Sequence, residues 1–314
     1  MQTGLVIKAI SGFYTIQVES GDQFVCKLPG RLKRDRSQTD IVAVGDRATF
    51  NIGPDEELGI IESVAERKNV LSRTRPSAHN RQLKSDKEQV LVANVDQVIF
   101  TFALKKPATS LRKLDRLLVA AERQEIPAVI CINKLDLGAL EKAQAEFGLY
   151  ADLGYPVVYT STVDGIGIDE IRALLKDKLT VFAGSSGVGK SSLLNAIQPG
   201  LGLDVGEVSQ ATTKGMHTTR YAELFPLEIG GFVADTPGIR GWAIFDIAPE
   251  ELEAYFREIE PLVQDCRYSD CTHRNEPGCA VRAAVEAKAI SAGRYDSYLR
   301  LREEHEALFD QEYS

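Results

Sequence analysis

No stretch of the 314-residue chain approaches the roughly 20 consecutive apolar residues that a bilayer-spanning helix needs, which excludes a helical membrane protein. Met1-Gln2-Thr3-Gly4 lacks the basic and apolar regions of a secretory signal, so a cytoplasmic location is expected. Cysteine is scarce, with five residues, an odd number, three of which cluster late in the chain beside a histidine. In a reducing compartment that pattern favours metal over disulfides. There is also no internal repeat and no long low-complexity segment, so solenoid and disordered classes drop out.

The net charge of −8 conceals a gradient. Residues 1–90 hold 14 basic and 12 acidic side chains, whereas residues 241–314 hold 8 and 16. Seven basic residues fall within Arg67–Lys87, against one acid, Asp86. Such a block can bind phosphate in an acidic protein, because salt limits the reach of distant acids to about 10 Å. A solvated basic linker is the other reading.

The length allows two or three domains. Residues 1–68 contain five short segments rich in β-branched or aromatic residues (Gly4–Ile10, Phe13–Glu19, Gln23–Leu28, Arg47–Ile52, Gly59–Val64), separated by turn signals. Five strands fit a small barrel of OB-fold or SH3-like type, with the OB-fold preferred. Its longest loop carries Arg31, Lys33, Arg34 and Arg36, a candidate RNA contact or a solubilising loop. Residues 69–89 read as a basic linker. From residue 90 to 241 strands alternate with helices, which indicates a parallel sheet covered on both faces. Residues 242–314 read as helical, with Pro249 opening a helix that runs to about Val263.

Three motifs carry the chemistry. Gly184-Ser185-Ser186-Gly187-Val188-Gly189-Lys190-Ser191, followed by Ser192, matches a phosphate loop and lies between a strand and a helix. Its glycines let backbone N–H groups turn inward around phosphate oxygens, and the following helix adds its positive end. Lys190 is expected at the β- and γ-phosphates, and Ser191 on Mg²⁺. Asp235-Thr236-Pro237-Gly238 ends an apolar strand; Asp235 suits the metal's water shell, and the Gly238 N–H suits the γ-phosphate. Asn133-Lys134-Leu135-Asp136 decides the base. The Asp136 carboxylate can accept from guanine N1–H and its exocyclic amine, a pair that adenine does not present. Asn133 is expected to tie loops together, and the Lys134 stem to pack over the base.

The order of these motifs is unusual. The guanine motif precedes the phosphate loop, and the switch motif follows both, which implies a circularly permuted GTPase core. Adding the loop Thr160-Ser161-Thr162 and the segment Gly215-Met216-His217-Thr218-Thr219, the chain resembles the ribosome small subunit-dependent GTPase A family. That resemblance spans nearly the whole chain. It implies a multi-domain protein with an N-terminal OB-fold barrel, a permuted P-loop GTPase domain and a C-terminal α-helical zinc-binding domain. It also implies GTP hydrolysis stimulated by the 30S subunit, whose rRNA the protein would bind as a monomer during maturation. Ser161 and Thr162 fall where the family supports the base. Where the family usually has a third threonine, this chain has Arg220, so Thr218 and Thr219 both stay candidates for Mg²⁺.

Cys266-x₄-Cys271-x-His273-x₅-Cys279 offers three thiolates and one imidazole, a closed set suited to one structural zinc ion. Cys26 and Cys131 lie in expected strands and read as core residues. One absence bears on turnover: no glutamine follows Gly238, where Ile239 and Arg240 stand, so intrinsic hydrolysis should be slow. His217 is the candidate for orienting water. A metabolic P-loop kinase is disfavoured by the guanine motif, whereas a GTP-dependent RNA chaperone with little turnover shares every motif. Finally, the permutation hangs the zinc domain from Asp235–Gly241, so its placement is expected to differ between GTP and GDP forms.

Overall fold

Strands β1 (Gln2–Ile10), β2 (Phe13–Val18), β3 (Gln23–Lys27), β4 (Arg47–Asn51) and β5 (Gly59–Val64) open a computed structural model that describes residues 1–30, 40–53, 57–75, 87–201, 223–235 and 247–313. Pairing runs β1–β2–β3–β5–β4 and back to β1, all antiparallel except β3 with β5. This closed circuit is that of an OB-fold, and closure removes exposed sheet edges. Alternate side chains point inward, so Val6, Ile16, Cys26, Ala48, Phe50 and Ile61 form the barrel core. Cys26 and Cys131 are both fully buried, as expected, and burial pushes their thiols up to about 11 and about 12.

Of the stretch expected as a basic linker, residues 69–75 and 87–89 are described. Strands β6 (Val70–Arg75) and β7 (Lys87–Ala93) pair as an antiparallel ribbon. Two of its flanking cations are committed to structure. Arg67 donates from Nε and Nη2 to both oxygens of buried Asp46, each at 2.8 Å, and Lys68 pairs with Asp96. Arg67 is anchored by a buried carboxylate, whereas the Lys68 pair lies at the surface.

The central sheet has spatial order β10 (Val157–Tyr159), β9 (Ala128–Asn133), β8 (Gln97–Ala103), β11 (Leu179–Ala183), β13 (Phe232–Asp235), β12 (Glu223–Pro226). All are parallel to their neighbours except β12. Every residue of β8, β9 and β11 is buried, which explains why they read as continuous apolar runs. Helices α1 (Leu111–Arg123), α2 (Leu140–Asp152), α3 (Ile168–Leu175) and α4 (Lys190–Ile197) connect the strands. Ser110 caps α1 by accepting from the Lys113 N–H, and Leu114, Leu117, Leu118 and Ala121 form its buried face. Residue pair Lys8↔Glu223 joins β1 to β12, so the barrel continues the sheet, with a 2.7 Å ion pair between the same side chains.

At the C-terminal end the expected helix over 249–263 is broken. A 3-10 turn covers Pro249–Tyr255, Phe256 is extended, and only Glu260–Val263 (α5) returns to helix. The break lets Phe256 bury itself edge-on against Tyr298, at 5.5 Å between ring centroids, under the Arg294 guanidinium. Helices α6 (Ala280–Glu286) and α7 (Ala292–Tyr313) complete the chain. No described helix is long and apolar enough to cross a membrane.

Helix α7 is fastened to α1 by buried charge. Arg294 donates to Asp115 Oδ1 at 2.8 Å and to both oxygens of Glu258, and only 2 % of its side chain is exposed. Tyr150 and Ser297 also donate to Asp115, which satisfies both carboxylate oxygens. Such pairs persist in an apolar interior only when each polar atom has a partner.

Candidate nucleotide and metal sites

Because β8, β9, β11 and β13 run parallel, their C-terminal ends share one edge of the sheet. The phosphate loop leaves β11, the guanine motif leaves β9, and Asp235 ends β13. Chain order is rotated, yet spatial order brings the phosphate loop, the guanine motif and the Asp235 end of β13 to the same edge, at the strand ends where open α/β sheets bind ligands.

Asn133 is the hub. It is buried at 1 % exposure; its Nδ2 donates to the Val188 carbonyl at 2.9 Å, and its Oδ1 accepts from Thr160 Oγ1 at 3.0 Å. It thereby ties the guanine motif to the phosphate loop and to the supporting loop. Gly189 has φ +94°, and a Cβ there would stand 2.4 Å from Asn133 Nδ2. At Gly184 a Cβ would meet the Thr101 carbonyl at 2.3 Å. These two glycines are required by contact with neighbouring strands and loops as well as by phosphate approach.

Lys134 adopts the left-handed conformation, with φ 62°, and its Nζ donates to the Lys106 carbonyl at 2.8 Å. The stem passes beside Gly189, where a Cβ would stand 4.0 Å from Lys134 Cε. Asp136 is exposed, so its carboxylate is open to a ligand. Ser161 Oγ lies 3.1 Å from Asp136 Oδ1 and 2.8 Å from Asp164 Oδ2, while Thr162 sits half-buried in the same turn.

Within the phosphate loop Ser186 and Gly187 are exposed and Val188 is buried. Lys190 Nζ donates to the Gly184 and Ser185 carbonyls at 2.9 and 3.0 Å, which holds the ammonium over the loop. Ser191 and Ser192 occupy the first turn of α4, whose N-terminal N–H groups receive no side-chain cap. Uncapped donors at a helix start suit an anion. His217, Thr218, Thr219 and Gly238 lie outside the described residues, as do Arg31, Lys33, Arg34 and Arg36; of Asp235 only the backbone is described.

The ligand atoms of Cys266, Cys271, His273 and Cys279 all lie within 4.8 Å of one another. Tetrahedral zinc with ordinary bond lengths separates its ligands by about 3.5–3.8 Å. Here His273 Nδ1 is 3.4 Å from Cys279 Sγ and 3.6 Å from Cys266 Sγ, so the residues fit the ion with little movement. Burial raises the Cys271 thiol to about 12 and pushes the Cys279 thiol upward too, and a bound dication would favour both as thiolates. Glu253 completes the design. Its carboxylate is 2.8 Å from His273 Nε2, which fixes the proton there and leaves Nδ1 for metal. Glu276 orders the cysteine-rich turn by accepting from the N–H groups of Thr272, Arg274 and Asn275. Sequence reasoning missed Glu253 and Glu276, because neither carries a local signature; it named Thr160 in the supporting loop but not its bond to Asn133.

A central parallel sheet with a phosphate loop, a guanine motif reached in permuted order and an appended thiolate site define a circularly permuted P-loop GTPase. The RsgA GTPase family matches residues 64–245, and the RsgA N-terminal domain matches residues 3–61. The chain belongs to the RsgA GTPase family. It is 42 % identical over 308 residues to the small ribosomal subunit biogenesis GTPase RsgA 2 of Bacteroides thetaiotaomicron, covering 96 % of this chain and 97 % of that protein. To the small ribosomal subunit biogenesis GTPase RsgA of Moorella thermoacetica it is 46 % identical over 297 residues, covering 94 % of each. Among solved structures, YjeQ from Thermotoga maritima superposes with a TM-score of 0.77 at 38 % identity, covering 97 % of this chain and 98 % of that one. YloQ, described as a circularly permuted GTPase, gives 0.76 at 34 % identity, covering 98 % and 96 %.

Proposed function

We propose that this protein is a GTPase that binds the small ribosomal subunit late in its assembly and leaves after hydrolysing GTP to GDP and phosphate. The observation that carries this reading is the Asn133 hub, which brings guanine motif, phosphate loop and supporting loop to one sheet edge. Its relatives named for small-subunit biogenesis, matched over almost their full length, supply the partner. Asp136, with Ser161 and Thr162 in support, reads guanine; Gly184 to Ser192 hold the phosphates. Ser191 and Asp235, with Thr218 or Thr219, hold Mg²⁺, which neutralises charge on the phosphates. His217 orients the attacking water, a task no glutamine after Gly238 performs. Zinc is structural, with no open coordination position. The barrel (1–68) and the following basic linker (69–89) contact rRNA through phosphate, the core occupies 90–241 and the zinc domain 242–314. Thiolate ligands need a reducing compartment, which supports the cytoplasm.

The test is GTP turnover alone and with purified small subunits, large subunits or free RNA. Selective stimulation by small subunits is expected. Equal stimulation by any RNA would point to a general RNA chaperone and overturn the reading. His217→Ala should abolish subunit-stimulated turnover while leaving nucleotide binding intact; near-normal kcat would remove it from the mechanism.

A further inference from the structure

Two lysines reach the same residue of the phosphate loop. Lys190 Nζ donates to the Ser185 carbonyl at 3.0 Å, and Lys113 Nζ donates to the Ser185 hydroxyl at 2.7 Å. Lys190 belongs to the motif; Lys113 comes from the first turn of α1, 72 positions before Ser185. That turn is a poor place for a cation, since free N–H groups give it partial positive charge and it holds no acidic residue. Arg112 and Arg116, on either side, offset this by pairing with Asp296 and Glu304 of α7. Among the described residues Lys113 has no carboxylate partner, and its hydrogen bond goes to a neutral hydroxyl. Lys113 and Lys190 thus bring two positive charges to one residue of the loop, and both would attract an anion bound beside it.

We infer that Lys113 is a second cationic residue of the nucleotide site, a positioning residue that fixes Ser185 and adds its charge to the field holding the phosphates. This rests on the proposed reading of the loop as a guanine-nucleotide site. The ligand class is a guanosine di- or triphosphate, and the benefit of Lys113 rises with phosphate charge. The source of the residue matters. Asp115, two positions on, is the buried anchor of Arg294 and Ser297, so the helix that presents Lys113 is the one on which the C-terminal domain is docked.

The experiment compares wild type, Lys113→Met, Lys113→Arg and Arg112→Met, titrating fluorescent GDP, fluorescent GTP and guanosine, and timing nucleotide release. Lys113→Met should weaken GDP and GTP at least about fivefold, chiefly through faster release and more so at low salt, because a charge-assisted contact is lost. Guanosine binding and Tm should not move. Lys113→Arg should recover most of the loss, since its guanidinium still donates to Ser185, and Arg112→Met should behave as wild type. Lys113→Met with nucleotide affinity within twofold of wild type would overturn the inference. So would a parallel loss of guanosine affinity, which marks a packing defect. If wild type itself binds neither nucleotide, the guanine-site reading falls instead.

Discussion

Replacing Gly189 by alanine sets a methyl 2.4 Å from Asn133 Nδ2 in a backbone conformation, φ +94°, that side chains resist. The hub bond to Val188 must then break, leaving a buried amide donor unpaired at a cost of about 1–3 kcal/mol. We expect Gly189→Ala to lose at least about tenfold in GDP affinity by equilibrium fluorescence. Asp136→Asn tests the base. An amide at that position donates to the xanthine carbonyl where the carboxylate accepts from the guanine amine, so preference should move from GTP toward XTP by about a hundredfold or more. The two substitutions separate loop geometry from base chemistry. Glu253→Gln keeps all four zinc ligands but weakens the hold on the His273 N–H. Competition with a chromogenic chelator should show zinc affinity reduced by about 10–100-fold. An unchanged affinity would show that the Glu253 contact does not tune the ion.

Element by element, the strands were legible where periodicity is local. The five barrel strands and the apolar β8, β9 and β11 follow from alternation and continuous burial. Helix α1 likewise reads from its single apolar stripe, Leu111, Leu114, Leu117, Leu118 and Ala121. The segment 249–263 misleads because its spacing suits a helix, whereas the chain is extended at Phe256, whose ring is buried against Tyr298 of α7. That same break places Glu253 at the metal site. Nor can local pattern reveal the clamp between α1 and α7, whose partners Asp115 and Arg294 stand 179 positions apart. Asp115→Ala leaves Arg294 buried with one of its two carboxylates gone and should cost about 3–5 kcal/mol in urea unfolding. Adding Arg294→Met together with Glu258→Gln should recover part of that loss, because no buried charge is then left behind, whereas Arg294→Met without the Glu258 change strands that carboxylate.

At the scale of the whole molecule, the candidate site was legible because phosphate and guanine chemistry demand fixed residue types at fixed spacing. The pairings that support it were not. Thr160, though named in its loop, reaches Asn133 across 27 positions, and Lys113 reaches Ser185 across 72, through a fold that no short window contains. The expectation that the zinc domain simply hangs from the switch is also narrowed. It follows Asp235 in the chain, but it is docked on α1 through Arg294, so a swing must work against that clamp. At the other end of the sheet, β1 belongs at once to the barrel and, through Lys8 and Glu223, to the strand that begins three residues after Arg220. The barrel and the segment carrying His217 to Thr219 therefore share a covalent and hydrogen-bonded neighbour. In the proposed cycle this makes RNA seating and GTP binding two faces of one coupling free energy. The factor by which GTP tightens the grip on the subunit must equal the factor by which the subunit tightens the grip on GTP.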